Sequence, residues 1–158
     1  MAGGLQKEIR QTRPFRSLQE EAFLNVLRTG ALLQQGEADV FRKAAISPAQ
    51  YNVLRILRGA GREGLSCNAI GERMIARDPD VTRLLDRLEK RGLVVRAREE
   101  RDRRVVTVRI TAAGGALLTG LDAPVGRMPV RRLAHMGPRK LRRLIDLLEE
   151  ARATPESG

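Results

Sequence analysis

The chain has 158 residues and a mass of 17.6 kDa, enough for one domain, or one small domain with a helical arm. Hydrophobic residues make up 42%, which supplies a core, while 30 Lys and Arg against 19 Asp and Glu leave a net charge of +11 that calls for a polyanion. The longest uncharged stretch, Ile110 to Leu121, has 12 residues against the roughly 20 that cross a bilayer; one cysteine excludes an internal disulfide, and with one histidine it argues against a zinc site.

Met1 to Glu8 has no apolar run, so no secretion signal is expected, and the polar residues 1–16, with Pro14 near their end, read as an arm outside the core. From Ser17 to Ala45 the pattern predicts one long helix. Ser17-Leu18-Gln19-Glu20 is a capping-box sequence, and Phe23, Val26, Leu27, Leu33, Val40 and Phe41 form a broad apolar stripe. Gly30 and Gly36 oppose it at about 1 kcal/mol each relative to alanine. Ser47-Pro48-Ala49-Gln50 starts the next helix, with Ser47 as cap, Pro48 at the first position and Gln50 reaching back to the cap amide. That helix runs through Tyr51, Leu54 and Leu57 to Gly59 or Gly61.

A third helix is expected from Ser66 to about Ile75, burying Ile70 and Met74. A fourth follows Asp78, its simplest cap, with Pro79 at the first position and Val81, Leu84, Leu85 and Leu88 on one face; Gly92 ends it in the left-handed conformation. Val94 to Arg98 and Val105 to Ile110 read as strands, with Val106, Val108 and Ile110 on one face. Glu99 to Arg104 form a charged hairpin tip between them. Thr111 caps a further helix that Pro124 and Pro129 are expected to kink or break. The last helix starts at Gly137-Pro138, with Leu141, Leu144, Ile145 and Leu148 as its stripe, and residues 153–158 read as a frayed tail.

Charge follows this organisation. Residues 1–47 carry +2, residues 48–111 carry +6 and residues 112–158 carry +3. Two helices joined by about three residues and followed by a basic hairpin form a winged helix-turn-helix. Its second helix buries one face and leaves its first residues free for a major groove roughly 12 Å wide. Thr82, Arg83, Asp86, Arg87 and Lys90 lie off the apolar stripe. Arg83 is the candidate for a guanine edge and Pro79 for a thymine methyl, with Arg77 in the same DNA-facing set. Asp80 either accepts from cytosine N4 or repels a phosphate. The narrow tip, with Arg103 and Arg104, suits a minor groove. A plain solvated surface is the simpler reading of any one of these charges; the ordered set of elements argues against it.

Residues 46–119 resemble the MarR family of transcriptional regulators, through Ile46 to Leu54, Val81 to Val94, and the wing from Asp102-Arg103-Arg104 to Ile110-Thr111-Ala112-Ala113-Gly114. The flanking helices extend the resemblance to about 18–152. It implies a mainly α fold with a small β-hairpin wing: a winged helix-turn-helix lobe at 46–111 and helical dimerisation arms from both termini, 17–45 and 112–152, within one domain at 17–152. It further implies a homodimer whose lobes grip a pseudo-palindromic operator in double-stranded DNA, spaced by about one helical turn (~34 Å). The family's Asp-x-Arg motif falls on Asp102, which would hold the wing, and Arg104, which would enter the minor groove. Ser66, Asn68 and Arg73 would contact phosphates.

Many relatives release DNA when a small aromatic or anionic effector binds. Phe15, Phe23 and Tyr51 are the candidates for such a pocket, with Phe41 and His135 nearby, although core or dimer packing is the plainer role for each. Cys67 lies one residue past the cap Ser66, where a helix N-terminus favours thiolate, so a redox switch is a second candidate. The family's peroxide sensors keep their cysteine near the start of the first helix, where this chain has none. The expected function is a dimeric, cytoplasmic, nucleoid-associated repressor of nearby genes, relieved by a small ligand. The alternatives are an architectural DNA binder without an effector, and a thiol-responsive regulator. No paired carboxylates, metal-ligand cluster or nucleophile–base set is apparent, so no enzyme, metal or cofactor is expected.

Overall fold

A computed structural model describes residues 4–153, and the chain divides between Ala38 and Asp39 into two compact units. The expected tail therefore lies, apart from Ala153, outside the described residues.

The N-terminal unit holds α1 (Gly4–Glu8) and α2 (Leu18–Gln35). Residues 4–16 are more organised than an arm. Leu5 is buried, and the Gln6 side-chain amide donates to the carbonyls of Gln11 and Arg13 at 3.3 Å. Such local bonds to side chains leave no apolar period to read in the sequence. Ser17 Oγ accepts the Glu20 N–H at 3.1 Å, and the Glu20 carboxylate accepts the Arg16 N–H, so both partners satisfy backbone donors at the start of α2. No residue of α2 is buried, and Phe23, Val26 and Leu27 are each more than half exposed.

The long helix expected from Ser17 to Ala45 is two helices. α2 stops at Gly36, and α3 (Ala38–Lys43) follows a turn. Gly30 is carried inside α2, whereas at Gly36 the chain breaks, and Phe41 enters the core of the second unit rather than the α2 stripe. Burying one large aromatic is worth more than the propensity lost at a glycine break.

That second unit is built on α4 (Pro48–Ala60), β1 (Leu65–Ser66), α5 (Cys67–Arg73), α6 (Val81–Lys90), β2 (Val94–Arg98) and β3 (Val106–Ile110). Ser47 and Gln50 form the reciprocal capping box, and the left-handed Gly61 (φ +64°) ends α4. Val53, Leu54, Leu57, Ile70, Leu85, Leu88, Val94 and Val108 are fully buried in one cluster. Helix α5 ends at Arg73, earlier than expected: Met74 turns extended, and the N–H of Ile75 donates to Asn52 Oδ1 at 2.8 Å instead of continuing the helix. Ile75 itself is 93% exposed.

The sheet has order β1-β3-β2, all antiparallel. Strand β1 has two residues, too few for any period, and the sequence reading omits it. It forms because Gly64 (φ +71°) lets the backbone pass where a Cβ would lie 2.4 Å from the Val108 carbonyl. Within β3, Val106, Val108 and Ile110 alternate onto one face as expected, but only Val108 is fully buried there: Ile110 is half-buried and Val106, at the tip end, is exposed, while Thr107 on the opposite face is buried. Pairing with β1 covers Thr107, which the alternation alone leaves outward.

Helix α7 (Ala112–Leu133) is capped by Thr111 and continues through Pro124 and Pro129, so of the kink or break expected there the break does not occur. The carbonyls these prolines leave without a helical donor belong to Gly120, which is exposed, and to half-buried Val125. Leu118 and Leu121 anchor the helix ahead of both prolines. A short 3₁₀ turn (Ala134–Met136) leads to α8 (Gly137–Arg152), which buries no residue. No helix among the described residues is long and apolar enough to cross a membrane.

Candidate nucleic-acid interface

Leu84, Leu85 and Leu88 pin α6 to the core, and the 3.6-residue period then turns Thr82, Arg83, Arg87 and Lys90 outward. The cap is Asp80 and not Asp78. Its Oδ1 accepts the Arg83 N–H at 3.0 Å, while the Asp78 carboxylate is spent on the N–H of Asp80 at 2.8 Å. Val81 is thus the first helical residue, and Pro79 lies just outside the helix. The second Asp80 oxygen stands 3.7 Å from Arg83 Nε, so this carboxylate both caps the helix and faces the arginine that projects from its first turn.

The supporting helix α5 is capped by Ser66 Oγ, which accepts from Ala69 N–H at 3.2 Å. Asn68, Arg77, Pro79 and Thr82 gather around one cleft of about 720 Å³, which Cys67 also borders. The Cys67 sulfur lies 3.8 Å from Thr82 Oγ1. Arg73 and Arg87 are exposed but stand outside that cleft. In the wing, Asp102 Oδ1 accepts the Arg104 N–H at 3.0 Å, and the Asp102 carbonyl accepts the Val105 N–H at 3.0 Å, which bends the tip. Arg103 and Arg104 are exposed there; Arg103 borders a separate depression with Arg98, Glu99 and Glu100.

Two arginines outside the expected set hold α6 in place. Arg91, just past its end, donates to the carbonyls of Ala45 and Ala44 at the end of α3. Arg96, on β2, donates from Nε and Nη2 to Glu89 and from Nη2 to Asp86, and its backbone N–H also reaches Glu89 at 3.0 Å. The signal for Arg96 was the acidic pair Asp86 and Glu89 on an otherwise basic helix; nothing local marks Arg91.

Hydrogen bonds from Arg96 hold the Glu89 carboxyl below its ordinary value of 4.5, and those from Glu89 and Asp86 raise the Arg96 guanidinium. A lowered carboxylate stabilises the fold above its unfolded value and loses that contribution as pH falls through the folded one. The gap in thermal midpoint between wild type and Glu89→Gln is therefore expected to be constant from neutrality to about pH 5 and to close in stronger acid. A gap that persists unchanged in acid would refute this contribution.

A groove of about 490 Å³ runs between α3 and α7, lined by Asp39, Val40, Lys43 and Ala44 on one side and Ala116, Leu117, Gly120, Leu121 and Pro124 on the other. Tyr51 does not line it; its ring fills the core 4.9 Å from that of Phe41. Phe15 is half-buried and Phe23 is 61% exposed, both in the N-terminal unit, and His135 is exposed. Among the described residues no three His, Cys, Asp or Glu side chains are grouped to hold a metal.

A family model described as MarR family matches residues 46–106. The HTH-type transcriptional regulator YfiV of Bacillus subtilis (strain 168), itself uncharacterised, is 36% identical over 141 residues, 87% of this chain and 79% of that protein. A crystal structure of a MarR transcription factor from Planctomyces limnophilus is 42% identical and matches with a TM-score of 0.66 over 85% of this chain and 98% of that one. The crystal structure of NadR in complex with 4-hydroxyphenylacetate is 28% identical, with a TM-score of 0.69 over 88% and 97% of the two chains.

Proposed function

The chain belongs to the MarR family of transcriptional regulators, and from that premise we propose that it is a homodimeric repressor which binds a pseudo-palindromic operator in double-stranded DNA. The carrying observation is one lobe that presents a basic recognition helix, held by its apolar face, beside a hairpin tipped with Arg103 and Arg104. Arg83 reads a base edge in the major groove, and Thr82, Arg87 and Pro79 complete the contact. Ser66, Asn68, Arg73 and Arg77 meet phosphates, and Arg104 enters the minor groove. The similar proteins above are regulators rather than enzymes, and the reading gives this chain no catalysis. Its place of action is the nucleoid, in the cytoplasm.

Dimerisation is supported by apolar surface that one chain leaves open. Phe23, Val26 and Leu27 on α2, and Ile145 and Leu147 on α8, are all more than half exposed. The segments 17–45 and 112–152 are the proposed arms, around the lobe at 46–111.

Relief by a small effector is supported by the groove between α3 and α7. Lys43 offers it a cation, and the Gly120 carbonyl, freed by Pro124, offers an acceptor. Ala44 lines that groove and also holds Arg91 at the end of the recognition helix, so a ligand there acts on α6 through one residue. The complex of NadR with 4-hydroxyphenylacetate supports an aromatic anion as the class of ligand.

Selection from random DNA tests the main reading: an inverted repeat is expected. Recovery of no repeat, with affinity falling alike on every sequence as salt rises, would establish the architectural alternative instead. With the repeat in hand, Arg83→Ala is expected to lose discrimination at one position of each half-site, by about 1–3 kcal/mol. Equal weakening on all sequences would make Arg83 a phosphate contact. The thiol reading falls if Cys67→Ser still releases the duplex when treated with peroxide.

A further inference from the structure

Asp86 and Glu89 lie three residues apart, on the same side of the recognition helix. Two carboxylates beside Arg83, Arg87 and Lys90 oppose an approaching phosphate backbone. Both, however, are held by one residue of another element. The Arg96 side chain, 27% exposed, donates to Asp86 at 2.5 Å and to Glu89 at 2.7 and 2.9 Å, and its backbone N–H donates to Glu89 at 3.0 Å. A planar guanidinium that spans two carboxylates fixes an angle as well as a distance.

Arg96 is also placed to act as a pivot. It pairs across the sheet with Val108, which is fully buried, and the ladder ends two residues later at Arg98 and Val106. Beyond that pair the tip packs on no core residue among the described residues, and its base is tied by the Glu99 N–H donating to the Val105 carbonyl at 3.0 Å and by Arg109 donating to Glu99 at 3.2 Å. A tilt of about 10° at Arg96 moves a point about five residues out, roughly 17 Å away at about 3.3 Å per residue, by roughly 3 Å. Such a shift is as long as a hydrogen bond.

We propose that Arg96 is a positioning residue for DNA recognition: by clamping β2 to Asp86 and Glu89 it sets the angle between wing and recognition helix, so that Arg104 and Arg83 meet adjacent grooves together. The inference rests on the DNA-reading roles proposed above for Arg83 and Arg104. Asp86 and Glu89 are then the jaws of the clamp, which accounts for acidic residues on this helix.

A double-mutant cycle tests it, with affinity measured on the duplex that wild-type protein recovers from random DNA. Arg96→Met alone is expected to weaken binding by about 10- to 100-fold, and in an Arg104→Ala background by no more than about threefold, because a misplaced wing matters only while its arginine is present. Arg96→Lys keeps the charge without the fork and is expected to behave like Arg96→Met. Additive losses, full rescue by lysine, or unchanged affinity in Arg96→Met would each overturn the clamp while leaving the DNA-binding reading intact. Unchanged affinity in Arg104→Ala alone would remove the wing from recognition and the clamp with it. If Arg96→Met does not fold, Glu89→Gln enters the same cycle, since it takes away one jaw at the surface of α6 and leaves Arg96 in place.

Discussion

Arg104→Ala is expected to weaken binding to the selected duplex by about 100-fold or more, with the thermal midpoint almost unchanged. Among the described residues the Arg104 guanidinium has no hydrogen-bond or ion-pair partner; only its backbone N–H is engaged, by Asp102. Alanine keeps that N–H and therefore the bend of the tip. A surface substitution of this kind shifts stability by about 0.5 kcal/mol or less. In the complex, each arginine in a groove is worth about 1–3 kcal/mol, and a dimer presents two. If Arg104 neutralises phosphate, the slope of affinity against salt is also expected to become shallower, by about 0.9 for each phosphate left unneutralised. Unchanged affinity at about 150 mM salt, where nonspecific attraction is already weak, would take the wing out of the mechanism.

Gly114→Ala is expected to destabilise the protein by about 1–3 kcal/mol, the reverse of what glycine-to-alanine does inside an ordinary helix. Position 114 is buried at the start of α7, and a Cβ there would lie 2.3 Å from the Leu93 carbonyl oxygen and 2.8 Å from Ile110 Cγ1. The nearer of the two, the carbonyl, is not free to yield. The Leu93 carbonyl accepts the Thr111 N–H at 3.1 Å, and Thr111 Oγ1 both accepts the Gly114 N–H and donates to the Gly92 carbonyl at 2.6 Å. Moving the helix away from β2 breaks its cap and its tie to the sheet together. Gly115→Ala is the control. One residue along, a Cβ meets nothing within 4 Å, so alanine there is expected to stabilise by up to about 1 kcal/mol. Urea midpoints should move in opposite directions for the two variants; movement in the same direction would refute the steric account.

These two positions separate what can be read along the chain from what cannot. The place of Arg104 at the wing tip was legible because a hairpin tip is a local object: two β-rich runs, a charged gap between them and an Asp-x-Arg spacing lie within seventeen residues, 94 to 110. The capping box at Ser47 and Gln50, the apolar face of α6 and the left-handed glycine at its end were legible for the same reason. Each depends on neighbours three or four residues away, and the structure repeats them. Asp78 and Asp80 mark the limit of that resolution. Both are good caps, and only the geometry of the turn decides which carboxylate reaches the N–H three residues on.

The errors have one cause. Gly36 ends a helix and Gly30 does not, because Phe41 has a core to enter once the chain turns. Pro124 does not break α7, because Leu118 and Leu121 anchor that helix and the freed Gly120 carbonyl is exposed. Strand β1, the burial of Thr107 and the crowding at Gly114 all come from segments far apart in sequence lying against one another. The same holds for the two arginines that brace the recognition helix, Arg91 on the end of α3 and Arg96 across Asp86 and Glu89.

Composition, period and local spacing were thus enough for the winged lobe and the concentration of +6 of the +11 charge within it, and the motifs along that lobe carried the resemblance to the family. Those properties are sums over neighbours, and neighbours are written in order along the chain. Which carboxylates stand free and which are held by Arg96, which glycine is an ordinary helix residue and which is crowded, and where a groove opens between α3 and α7 were decided by tertiary packing. Each is a distance between residues that the sequence keeps apart, and packing at near-crystalline density makes differences of an ångström decisive.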